Sequence, residues 1–228
     1  MMISVVTLCP TSYIHYLRDL AASLTNQTYQ NFQWVVLHVG VMTTDEAHEF
    51  VECVSAVPCV KFIHSVEPDP GISSCRNEAL KCASGRFITM VDADDTVEPT
   101  YLEKMVAVAG PKTLVCPGLR EFELGSNAGW PTWGFTLNDF LAANRIFACS
   151  MYPRELVDEI GGYDEALNFL GIEDYEFWIR AIKAGYTVKV VQELLFNYRV
   201  HRGSHTARHS QLDKERFEYV WKKHLPVG

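Results

Sequence analysis

The stretch that most constrains this chain is Arg86 to Asp95, RFITMVDADD. Phe87, Ile88, Met90 and Val91 are apolar, Thr89 is the polar interruption, and the run stops in Asp92, Asp94 and Asp95. A short apolar run bounded by a polar cluster is the pattern of a strand buried on both faces, as in a parallel sheet. In open α/β sheets, ligands bind outside the carboxyl ends of such strands. Carboxylates at that edge are hard oxygen ligands suited to Mg²⁺ or Mn²⁺, ions that sit between a few protein carboxylates and substrate phosphates. Asp is equally at home in turns. Taken alone, the stretch reads either as a metal-binding edge or as an acidic turn.

The flanking sequence repeats the same rhythm. Ile3 to Leu8, Phe32 to Val39 and Val60 to His64 read as strands, with a helix after Ser12 and another over Thr44 to Ser55 between them. Ser12 and Ser73 are placed as helix N-caps, the latter opening a helix from Ser74 to about Ala83. Alternating strands and helices predict parallel βαβ units with right-handed crossovers. Further on, Pro99 marks a helix start. Thr113 to Cys116, Leu119 to Leu124, Ile146 to Tyr152, Val188 to Val191 and Leu194 to Val200 read as strands. Leu137 to Asn144, Pro153 to Ile160, Glu173 to Ala184 and Gln211 to His224 read as helices. Gly125 to Gly134, with Trp130 and Trp133, breaks the pattern as a loop that is either functional or a packed cover.

At 228 residues the chain can bury one sizeable core. Its 20 basic residues against 28 acidic ones, net −8, show no dominant basic patch, which argues against nucleic acid as a partner. The seven cysteines are dispersed without a C-x-x-C pair, so they read as free thiols of a reducing compartment. No basic leader precedes the first strand and no apolar run reaches membrane-spanning length. The expectation is a cytoplasmic protein, with peripheral attachment to a membrane or a multidomain partner left open.

Beyond the first acidic cluster, Glu173-Asp174 stands at a helix start, where the dipole favours carboxylates with or without a catalytic role. His201 and Arg202 follow a late strand. A wider pattern joins these pieces. Gly71-Ile72-Ser73-Ser74-Cys75-Arg76-Asn77-Glu78-Ala79-Leu80, Ala83-Ser84-Gly85-Arg86 and Val91-Asp92-Ala93-Asp94-Asp95 resemble the core signature of the family 2 glycosyltransferases of the GT-A fold. Tyr16-Leu17 through Asn26-Gln27-Thr28-Tyr29 resembles that family's first helix and turn, and Ile160 to Glu165 the segment before its Glu-Asp motif. Glu173 to Trp178 resembles the motif itself, and Tyr198 to Ser204 the segment that closes the domain. Each motif alone is weak, but their order is specific, and together they span about residues 3 to 206.

The resemblance implies an α/β GT-A fold: a Rossmann-like, mostly parallel central sheet flanked by helices, with a smaller acceptor-side sheet region. It implies one glycosyltransferase domain over about 1–206, with a nucleotide-sugar half at about 1–98, an acceptor half at about 99–206 and a helical tail over 207–228. The activity implied is metal-dependent, inverting transfer of a sugar from a nucleotide-diphosphate donor, UDP by default, to a hydroxyl of a glycan or glycolipid acceptor. By the same resemblance Asp94, with His201, holds Mn²⁺ or Mg²⁺, and Asp174 is the base. Pro10, Thr11, His38, Arg76, Asp92 and Ala93 lie on the nucleotide-sugar side. Trp130, Trp133, Glu173 and Trp178 are placed on the acceptor side. One departure stands out: the family's second strand usually ends in acidic residues, and here the positions are His38 and Val39. That leaves a catalytically silent nucleotide-sugar binding module as the alternative. A nucleotidyltransferase fits less well, because no glycine-rich, basic triphosphate loop lies near the N-terminus.

Overall fold

The computed structural model describes residues 1–58, 60–65, 70–125, 129–130, 140, 144–203 and 213–224. The chain opens with β1 (Ile3–Pro10), a short 3-10 turn and α1 (Ile14–Thr25), then β2 (Phe32–Val39), α2 (Thr44–Ser55) and β3 (Val60–Ser65). After α3 (Ile72–Cys82), the strand β4 (Phe87–Met90) follows. β1 pairs in parallel with β2 on one side and β4 on the other, and β3 extends the sheet beyond β2. The antiparallel β8 (Tyr152–Pro153) closes the far edge, giving the order β3-β2-β1-β4-β8. Alternate residues of the buried strands go to opposite faces. Ile3, Val5, Trp34 and Val36 join one apolar cluster, while Val6, Val35 and Leu37 join another. Buried Thr7 is satisfied between strands, donating to the Val91 carbonyl at 2.7 Å and accepting from Trp34 Nε1 at 2.9 Å.

A second sheet forms from β5 (Thr96–Val97), β6 (Thr113–Glu123), β7 (Gly129–Trp130) and β9 (Thr187–Val200), in the order β5-β9-β6-β7. The helices of this half are α4 (Tyr101–Val108), α5 (Glu155–Ile160) and α6 (Glu173–Lys183), and α7 (Asp213–His224) follows β9.

Several boundaries differ from the sequence reading. Ser12 lies in the 3-10 turn and α1 begins at Ile14, so Ser12 does not cap it. α3 starts two residues earlier than expected, at Ile72 with Gly71 at its N-cap, and Ser73 is buried inside it. Thr113 to Leu124 is one strand rather than two: Pro117 and Gly118 mark a register irregularity, not an end. Gly118 is where β9 comes closest, since a Cβ there would sit 2.7 Å from the Glu193 carbonyl oxygen. Val188 to Val200 is likewise continuous. Of Ile146 to Tyr152, Tyr152 belongs to β8 and Met151 bridges Val115; the rest is irregular chain. Most of the helix expected over Leu137 to Asn144, and most of the Gly125 to Gly134 loop, lie outside the described residues.

The terminal helix α7 packs onto α6. Val220 is fully buried, Phe217 meets Tyr175 edge-to-face at 5.2 Å, and Lys223 Nζ and His224 Nε2 reach Glu176 Oε1 at 2.7 and 2.8 Å. Cys9, Cys53, Cys75, Cys82, Cys116 and Cys149 are free thiols, and all but Cys82 are buried.

Candidate functional site

At its carboxyl end β4 turns sharply. Val91 N donates to the Val6 carbonyl at 2.9 Å, and Asp95 N to the Asp92 carbonyl at 3.1 Å, so the three Asp side chains leave the sheet edge in a tight turn. The far end of β9 holds that turn. Arg199 donates its backbone N–H to Asp95 Oδ1 at 2.8 Å and its Nε–H to the Asp94 carbonyl at 2.7 Å. Its two terminal nitrogens reach Glu123 and Asp19, each at 2.6 Å. Just beyond, His201 Nε2 lies 2.9 Å from Asp94 Oδ2.

The second acidic motif faces the first across Arg76. This guanidinium on α3 has a side-chain exposure of only 3%; Nη1 sits 2.5 Å from Glu173 Oε1 and Nη2 4.0 Å from Asp92 Oδ2. Asp174, at the first turn of α6, accepts from Tyr175 N at 2.7 Å and from Asn144 Nδ2 at 2.9 Å. Between the motifs opens a cleft of about 650 Å³, lined at one end by Pro10 and Val39, across its floor by Asp92, Ala93, Asp94 and Asp95, and at the other end by Glu173 and Asp174.

Crowding of carboxylates in little water sets their protonation. Burial, then the charge of Glu173, pushes Asp174 up to about 7, against the opposing pull of Arg76 and its hydrogen bonds. Burial raises Asp92 to about 6, although Arg76 opposes it. Asp95 is held well above the ordinary carboxylate range by burial and by Asp94. A carboxylate poised near neutrality in a cleft is the property expected of a proton acceptor.

The donor set near Asp94 is all oxygen and imidazole. Cys75 and Cys149 also line the cleft, and burial holds the Cys149 thiol well above the ordinary value. Among the described residues, no group of three His, Cys, Asp or Glu side chains converges as a complete cage. Asp94 and His201 are an oxygen and an imidazole donor lying side by side, the two donor types here that could hold a divalent ion.

Of the residues singled out by sequence, Pro10, Arg76, Asp92, Ala93, Asp94, Glu173 and Asp174 line the cleft. Thr11 and His201 are not among the lining residues, although His201 touches Asp94, and His38 and Trp178 take places of their own. His38 is fully buried behind the first loop, with Nε2 3.1 Å from Thr11 Oγ1 and Nδ1 2.8 Å from His64 Nδ1. Burial, followed by the neighbouring His64, lowers it to about 4. It braces Thr11 and presents no face to a base. Trp178, expected on the acceptor side, is also fully buried, its ring packed edge-to-face on Tyr152 and Phe177. It points into the core because α6 places its apolar stripe there. Trp130 lies in β7, paired with Leu119, and Trp133 falls outside the described residues. Sequence reasoning missed the bracing role of Arg199, although that residue stood in the closing motif beside His201. It also missed Asn144, whose partner is distant in sequence.

A mostly parallel sheet with an acidic strand end, a second sheet beside it and an Arg-linked carboxylate pair in one cleft is the arrangement of the GT-A fold. Residues 4–161 match the model of Glycosyl transferase family 2, and residues 138–209 match that of the N-terminal domain of galactosyltransferase. The chain belongs to glycosyl transferase family 2. EpsH of Bacillus subtilis (strain 168), a relative carrying a glycosyltransferase name, is 27% identical over 215 residues, covering 86% of this chain and 60% of EpsH. The glycosyltransferase MJ1057 of Methanocaldococcus jannaschii is 26% identical over 204 residues, 81% of this chain and 66% of that protein. The chain thus spans less than two thirds of these relatives. Among solved structures, S. aureus TarS 1-349 in complex with UDP-GlcNAc superimposes with a TM-score of 0.76 at 20% identity, over 98% of this chain and 65% of that one. The same TarS fragment with UDP gives 0.73 over 97% and 64%. No helix among the described residues is long and apolar enough to cross a membrane.

Proposed function

We propose that the chain transfers a sugar from a nucleoside-diphosphate sugar to a hydroxyl of a glycan acceptor, inverting the anomeric centre. The observation that carries this reading is the pairing, across one cleft, of Asp94 with His201 and of Asp174 raised to about 7. The S. aureus TarS structures hold UDP and UDP-GlcNAc, which supports a UDP-sugar as the donor. In this reading the nucleotide lies over Pro10, Val39 and Asp92, and its diphosphate over Asp94. Asp94 and His201 hold Mn²⁺ or Mg²⁺, and a cation bound there supplies charge neutralisation for the departing diphosphate.

Asp174 accepts the acceptor's hydroxyl proton on a carboxylate oxygen as that hydroxyl oxygen bonds to the anomeric carbon. The bond from carbon to phosphate oxygen breaks on the opposite face, and its electron pair leaves on the diphosphate. Arg76 and Glu173 tune the base: the guanidinium favours the ionised form of Asp174 and the adjacent carboxylate opposes it.

Asp174→Asn should lower turnover about 10²- to 10⁴-fold, the usual weight of a general base, with UDP affinity in calorimetry kept within about threefold. Asp94→Ala should weaken UDP binding in Mn²⁺ and erase the difference between Mn²⁺ and EDTA. Full turnover in Asp174→Asn rejects the base assignment, and UDP binding indifferent to Mn²⁺ in the parent chain rejects the metal.

A further inference from the structure

The wall leading to Asp174 carries an aromatic ring that the chemistry above leaves unused. Phe169 is 59% exposed and lines the cleft a few residues before α6. Leaving a phenyl ring largely in water forgoes apolar burial, yet its backbone is fastened in place. Asn168 Oδ1 accepts from Ser74 N and its Nδ2 donates to Ser74 Oγ, both at 2.9 Å, while its carbonyl accepts from Ile72 N at 3.2 Å. Leu170 N donates to the Leu167 carbonyl at 3.0 Å. Gly71, at φ +87°, lets α3 approach so closely that a Cβ there would lie 2.3 Å from Asn168 Cβ. The exposed ring is therefore presented from a rigid segment tied to α3 behind it and leading into α6 ahead. Phe147, Leu119 and Phe196 supply further apolar lining to the cleft.

The charge of the cleft narrows what such a ring can meet. Among the described lining residues, Asp92, Asp94, Asp95, Glu121, Glu173 and Asp174 stand against Arg76 alone, and Arg76 is in contact with Glu173. A carboxylate brought in beside Asp174 meets Glu173 and, in the ionised form a base must take, Asp174 itself as like charge, without the cation that would offset the donor's diphosphate at Asp94. An aromatic face, in contrast, takes the C–H face of a pyranose by apolar burial and leaves its hydroxyls to the surrounding carboxylates.

We infer that Phe169 is the platform for the terminal ring of the acceptor and that this ring is an uncharged pyranose. The inference rests on the sugar-transfer reading and names the acceptor class for the same cleft. Saturation-transfer NMR tests it on the whole chain loaded with UDP and diamagnetic Mg²⁺. The probes are p-nitrophenyl α- and β-glycosides of glucose, galactose, mannose and N-acetylglucosamine, set beside the matching glucuronides and galacturonides. Saturation is expected on ring protons of neutral glycosides, with uronides bound about tenfold more weakly or not at all. Phe169→Ala should weaken the best glycoside about three- to tenfold, and Phe169→Tyr should restore it, with UDP affinity and thermal midpoint unchanged in both. Uronides binding as well as neutral glycosides, no saturation on any glycoside, or unchanged affinity in Phe169→Ala overturns the inference. Calorimetry with UDP is read separately: a parent chain that does not bind UDP overturns the nucleotide-sugar reading itself, and the acceptor assignment falls with it.

Discussion

Asp174 carries a conflict between chemistry and folding. Its pKa rises from an ordinary 3.8 to about 7, first by burial and then by Glu173. A base must be ionised, so turnover should climb with pH through a limb near 7 and flatten above it; a rate already level from pH 5 would exclude Asp174 as the titrating group. The same shift acts oppositely on stability. Because the folded chain holds this proton more tightly than the unfolded one, the residue's favourable contribution is complete below about pH 4 and is lost as pH rises through about 7. Replacing it with Asn removes the titration but also leaves either Tyr175 N or Asn144 Nδ2 facing a donor rather than an acceptor. The expected signature is therefore a trend: the thermal midpoint of Asp174→Asn relative to the parent should rise by a few degrees between pH 5 and pH 8, about 2–4 °C for each kcal/mol in a chain of this size. A pH-independent difference in scanning calorimetry would count against a raised Asp174.

Two elements tie distant parts of the fold together. β9 runs for 14 residues to Val200, and Arg199 next to its end holds Asp95 through its backbone N–H and links the Asp94 carbonyl to α1 and β6 through its guanidinium. Arg199→Lys keeps the charge and loses the planar fork. It should destabilise the chain by about 1.5–3 kcal/mol, since charge-assisted hydrogen bonds are lost, and the half-exposed partners Asp19 and Glu123 keep the figure modest. Urea titration measures it. The second element is α7. Glu176 is fully buried and meets Arg180, Lys223 and His224. Ending the chain after residue 212 leaves that carboxylate with Arg180 and uncovers the site of Val220 and Phe217. A drop in thermal midpoint of more than about 5 °C is expected from the lost burial; an unchanged midpoint would show that α7 adds no stability.

For the molecule as a whole, sequence patterns were most legible where local physics sufficed. β2 and α2 lie where the apolar run of Phe32 to Val39 and the capped segment after Thr43 put them, because burial on both faces and a capping box act over a few residues. The acidic motifs were legible as partners through order along the chain. Long-range closeness was not legible. Nothing local announces that Thr113 pairs with Thr187, that Arg76 bridges Asp92 and Glu173, or that Asn144 reaches Asp174. His38 and Trp178 misled for a related reason: chemical type was read at positions whose burial is fixed by neighbours remote in sequence.

The free cysteines carry a practical consequence. While the chain is folded, burial keeps the Cys9 and Cys116 thiols protonated, each pushed up to about 12, and therefore sluggish toward oxidants. Unfolding removes that protection at once and sets thiols of ordinary acidity on a mobile chain that has no native disulfide to return to. Recovery after denaturation should then depend on reductant, with mixed cross-links trapping the air-exposed chain and a reduced chain regaining its cleft.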